Sequence, residues 1–166
     1  PARDRRVQTP TTPWIRMSHD STPILGLPNV GSGQVVVSFV HSLTNTDSCV
    51  VHVLSVVPDA VSDGLRFDAV IKAPSGAGGD YLGWNGSASD AKALGFSTGQ
   101  AVKAFDIEPG AIRTDLRILY TVVKDKSTFT SRNVRVSYEC GDGKYSQVLN
   151  QKLMLYKGAA PPLAAA

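Results

Sequence analysis

Glutamate occurs only twice in the 166 residues, at Glu108 and Glu139. That scarcity argues against the paired-carboxylate chemistry of glycoside cleavage, and no aspartate spacing takes its place. Charged side chains make up 19% of the chain, against roughly 25% in an average globular protein. No apolar run approaches the roughly 20 residues of a helical membrane span, and the Arg- and Pro-rich start has no apolar core of a secretory signal. HExxH, CxxC, GxSxG and phosphate-loop patterns are all missing, and Gly31-Ser32-Gly33 has no strand-to-helix setting around it. The expectation is a protein that is not an enzyme and carries no cofactor. The chain starts at Pro1 and not at Met, which leaves room for a leader or a longer arm ahead of it.

What is present is turn chemistry and β-branched residues. Fifteen glycines and ten prolines punctuate runs that read as strands at 34–41, 49–57, 65–72, 101–107, 115–123, 133–140 and 146–156. Shorter segments at 14–17 and 23–28 read as edge pieces, the second because proline cannot donate to a ladder. Strict alternation puts Val134, Val136, Tyr138 and Cys140 on one face of their strand. Leu116, Ile118 and Tyr120 share a face in the same way, as do Leu65, Phe67 and Ala69. Only residues 87–95 carry helix chemistry, with Ser87 or Ser89 as N-cap and Gly95 as the stop. No βαβ period is present. The reading is an all-β antiparallel sandwich of jelly-roll type, with eight or nine strands and one short helix.

The charge is lopsided. Residues 1–16 hold Arg3, Arg5, Arg6 and Arg16 against Asp4 alone, a surplus equal to the whole formal charge of +3. The organisation expected is a flexible basic arm at 1–13, a neutral sandwich at 14–157 and a low-complexity tail at 158–166. An arm with three prolines and little apolar content does not fold alone, and its guanidinium groups suit phosphate without reading sequence. The plainer alternative is a solvated terminus.

Other side chains are weaker candidates. Cys49 and Cys140 allow one disulfide, with two buried free thiols as the preferred reading. His19, His41 and His52 are too scattered for a metal site, and none is expected. Asp59, Asp63, Asp80 and Asn85 offer oxygen ligands for Ca²⁺ only if subunit contacts gather them, and otherwise read as turn residues. Asn85-Gly86-Ser87 matches a glycosylation acceptor. Tyr81, Trp84 and Phe96 surround a glycine-rich loop and read either as an aromatic platform or as a loop folded over the sandwich edge.

An arm, a neutral sandwich and a small tail form the layout of coat proteins of small icosahedral positive-strand RNA viruses, and the chain resembles that family in this respect. Thr12-Pro13-Trp14-Ile15-Arg16 is similar to the arm-to-shell junction of satellite-virus coat proteins. Asp115-Leu-Arg-Ile-Leu-Tyr120 and Asn133-Val-Arg-Val-Ser-Tyr138 are similar to the last strand pair of plant-virus jelly rolls. The family's arm is usually richer in Arg and Lys. The resemblance implies many-copy self-assembly into a virion, subunit contacts through Asp80, Tyr81, Trp84 and Asn85, and sequence-independent contact of Arg3, Arg5, Arg6 and Arg16 with single-stranded RNA. No membrane partner is expected. The rival reading is an extracellular or phage-type sandwich that recognises carbohydrate or a partner protein through the loop at 74–86.

Overall fold

The computed structural model describes residues 6–17, 24–74 and 83–161. Ten strands and one short helix follow in chain order: β1 (Ile15–Arg16), β2 (Ile24–Leu27), β3 (Val35–Asn45), β4 (Val51–Val61), β5 (Leu65–Pro74), β6 (Gly83–Gly86), α1 (Ala88–Ala93), β7 (Phe105–Ile107), β8 (Gly110–Val122), β9 (Thr128–Cys140) and β10 (Gly143–Tyr156). They form two sheets. One has the order β1-β3-β8-β5, with β6 also on β3, and the other β2-β10-β9-β4-β7.

The pairings among these strands are antiparallel except β2 with β10. The expected all-β antiparallel sandwich with one short helix is thus the observed architecture. Within the two sheets β8 lies between β3 and β5, and β9 between β4 and β10.

Alternation explains most of the packing. Val134, Val136, Tyr138 and Cys140 point into the sandwich, as do Leu116, Ile118, Tyr120 and Val122, and all are buried. In β5 the expected face changes partway. A bulge at Asp68 breaks the register between Phe67 and Ala69, so the interior position passes from Ala69 to Val70. Beyond it Ile71 joins a second, smaller cluster with Val37, Phe39, Leu119, Ala91 and Phe96.

The helix belongs to that outer cluster. Ser87 caps it by accepting from Asp90 N at 3.1 Å, and Gly95 takes the left-handed φ of 78° after its last turn. Pro58, expected to end its strand, lies inside β4. It is tolerated because β7 stops at Val53, leaving this stretch of β4 at the edge.

Two buried tyrosines make the fold sensitive to alkali. Burial pushes the Tyr120 phenol up to about 12 against a hydrogen bond from Ser131 that opposes it. Burial, then Tyr145 and Asp47, push Tyr138 up to about 12 as well. Their ordinary value is 10.0. Raised folded-state values stabilise the fold fully below the unfolded value, and that contribution is lost as pH rises through the folded one. Denaturant titrations are therefore expected to show stability falling between pH about 10 and about 12, with Tyr120→Phe flattening the fall.

Candidate functional site

The two lateral sides of the sandwich are built differently. On one side the edge strands meet. Leu25 and Leu27 of β2 lie over Gly83 of β6, where a Cβ would strike Leu25 and approach Val37 O to 2.9 Å. Only glycine lets β6 come this close. The amino-terminal segment seals the same flank. Gln8 N donates to Lys144 O and Gln8 O accepts from Ser146 N, at 2.9 and 2.8 Å. Ile15 N donates to Gln147 Oε1 and Ile15 O accepts from Gln147 Nε2, at 3.2 and 2.5 Å.

Residues 6–13, expected as part of a flexible arm, are thus fastened to the sheet through Gln8. Trp14 then packs at the sandwich end against Tyr145 and Tyr138, with ring centroids 4.4 and 6.2 Å away. Arg6 and Arg16 are exposed, while Arg3 and Arg5 lie outside the described residues.

The opposite side is open. β7 covers β4 only along Val51–Val53, and beyond it no strand lies beside the outer edge of β4 or of β5 among the described residues. Val102 N donates to Val70 O at 2.9 Å and floors the gap. The result is a groove of about 340 Å³ lined by Leu54, Val56, Phe67, Val70, Val102 and Phe105, with Asp68 and Lys103 among its polar groups. This is at the small end of the roughly 300–1,000 Å³ range of ligand sites.

Leu54 is 45% exposed because a register break between Val53 and Ser55 lifts it out of the ladder. The break at Asp68 sits on the other bank. Bulges on both edges discourage indiscriminate sheet-to-sheet pairing while leaving the apolar lining accessible.

The charges around the groove are mostly engaged. Asp68 accepts from Arg66 Nε at 2.6 Å and from Thr121 Oγ1 at 2.5 Å. Lys72 donates to Asp106 O at 3.3 Å and lies 5.6 Å above the Phe105 ring. Lys103 has no ion pair among the described residues. Among the described residues the groove offers apolar contact, with the Lys103 ammonium at its edge.

The residues singled out from sequence do not converge. Trp84 is half-buried and packs on Phe96 at 5.6 Å, in the outer cluster beneath α1. Its ring is thus engaged with the outer cluster. Asn85 Nδ2 donates to Pro28 O at 3.4 Å, while Asp80 and Tyr81 lie outside the described residues. Of the Ca²⁺ candidates, Asp59 is held by Arg135, and Asp63 by Lys124 and Lys126.

Cys49 and Cys140 correct the free-thiol reading: they form a disulfide, with Cα atoms 5.7 Å apart. Asp47 lies beside them, but disulfide sulfurs are not thiolate ligands. His52 pairs with Asp106 at 2.7 Å. His19 and the side chain of His41 lie outside the description.

No protein-family model matches the chain, and no curated protein does. Among solved structures it is similar to the PapD-like domain 7 of human CEP192, at 11% identity and TM-score 0.44, covering 96% of this chain and 98% of that one. It is also similar to the Vibrio cholerae VesB protease, at 9% identity and TM-score 0.44. That match covers 86% of this chain, which spans about a third (32%) of the protease. A third likeness is to AggA, the major subunit of aggregative adherence fimbriae type I from Escherichia coli, at 10% identity and TM-score 0.36, covering 91% and 98%. Likenesses this distant carry nothing about function.

Proposed function

We propose that this chain is a β-sandwich binding module that takes an extended segment of a partner protein along its open side. The observation that carries the reading is the apolar groove between two strand edges, on a sandwich whose opposite flank is covered by β2, β6 and the amino-terminal segment among the described residues. Free strand edges supply backbone hydrogen bonds to an extended chain, and pockets beside them select its side chains. Lys103 at the groove favours a segment with a carboxylate next to its apolar anchor. The Cys49–Cys140 bridge supports a place in oxidising surroundings. This moves the binding surface away from the loop at 74–86.

Selection of random displayed peptides on the immobilised protein tests the reading. Enriched sequences are expected to pair an apolar side chain with an acid and to bind Leu54→Asp at least about tenfold more weakly, the scale of one lost anchor contact. Leu54 is exposed enough for that variant to fold. Light scattering gives the contrasting outcome. The coat-protein reading requires shell-sized particles with nuclease-sensitive absorbance, and finding them would displace the module.

A further inference from the structure

The outer face of the second sheet carries its charges in rows set by strand register. One row runs through Lys144, Glu139, His52 and Asp106, with Lys144 3.4 Å from Glu139 and His52 2.7 Å from Asp106. Farther along, Arg135 is gripped by both oxygens of Asp59, at 2.9 and 3.3 Å. Beyond that lies a row of a different kind. Arg132 of β9 and Lys152 of β10 are direct cross-strand partners, flanked by Ala60 and Ile24. Lys152 points outward, because Gln151 and Leu153 on either side of it are buried, and Arg132 is exposed.

Two like charges directly opposite one another destabilise a sheet. Their side chains start only about 5 Å apart, and neither has an ion pair among the described residues. Among the described residues, the nearby acids are engaged elsewhere: Asp59 by Arg135, Asp63 by Lys124 and Lys126, and Asp125 by Lys157. The register that opposes the two cations is set by the irregularity between Leu149 and Lys152, where Asn133 adopts a φ of 51°. Among the described residues the backbone thus holds two uncompensated cations together beside a set of neutralised ones.

We propose that Arg132 and Lys152 form a binding site for a tetrahedral oxyanion, a phosphate group in particular. The guanidinium fork would engage two oxygens and the ammonium a third. This site is independent of the open-side groove, and each proposal stands or falls by its own residues.

Pyrophosphate is the probe, titrated at fixed ionic strength and followed by backbone amide shifts. The expected result is shifts centred on Arg132 and Lys152, with affinity reduced about tenfold in Arg132→Gln and in Lys152→Gln, the loss expected for one charge-assisted hydrogen bond. Lys92→Gln on α1 should bind as the parent does. In chloride alone the double variant is expected to be at least as stable as the parent, because like-charge repulsion is gone.

Equal pyrophosphate affinity in the parent and the double variant would overturn the proposal. So would a double variant less stable in chloride, since that would make the pair structural. A uridine oligonucleotide that displaces pyrophosphate with the same residue dependence assigns the phosphate to a nucleic acid, and failure to displace assigns it to a free phosphate.

Discussion

Replacing both Cys49 and Cys140 by alanine is expected to lower the free energy of unfolding by about 4 kcal/mol. The estimate follows from loop closure: the bridge spans a sequence separation of 91 residues, and a cross-link of that length removes much of the freedom of the unfolded chain. The native side adds to the effect. The bridge pins the turn after β3 to the end of β9, where Asn45 Nδ2 donates to Cys49 O at 2.6 Å and to Ile107 O at 3.1 Å. Denaturant unfolding of the double variant under non-reducing conditions measures the difference. A loss below about 1 kcal/mol would mean that the bridge constrains little.

Gln147→Leu should have the next largest effect, about 3 kcal/mol. The Gln147 carboxamide makes two backbone-like hydrogen bonds to Ile15, whose side chain is buried in the core. Tyr138 also donates to its Oε1 at 3.4 Å. Leucine keeps the volume and leaves the Ile15 N–H and C=O unpaired, at about 1–3 kcal/mol for each buried group. The loss should be local as well as global. Trp14, next to Ile15, should show a red-shifted emission and faster quenching before the main transition. An unchanged Trp14 environment together with unchanged stability would show that the Gln147 hydrogen bonds do not hold the amino-terminal segment.

The sequence was readable wherever one strand decided the matter. Alternation in 133–140 and in Leu116, Ile118 and Tyr120 correctly named the core face, because period-two patterning is written in neighbouring residues. Ser87 and Gly95 likewise marked the helix within a turn of its true ends. The bulge at Asp68 was not readable, since nothing local announces the residue at which a register slips. The Cys49–Cys140 bridge and the Gln147–Ile15 contact join residues 91 and 132 positions apart, and spacing alone does not select such partners.

β6 was missed because Gly83-Trp84-Asn85-Gly86 has little strand propensity; it pairs with β3 because Gly83 fits under Leu25. The next residue, Trp84, packs against Phe96 in the outer cluster. The groove escaped notice for a related reason. An open flank is defined by which strands lack neighbours, and that is a property of the assembled sheets.

The central claim is that the open flank between β4 and β5 holds the partner. It is tested most directly by mapping amide shifts on the labelled protein as a selected acidic-apolar peptide is added. Perturbations concentrated at 54–56, 67–70 and 101–105, and abolished by Leu54→Asp, are the result expected here. Perturbations centred on 83–86 or spread over the sealed β2–β6 flank would contradict it.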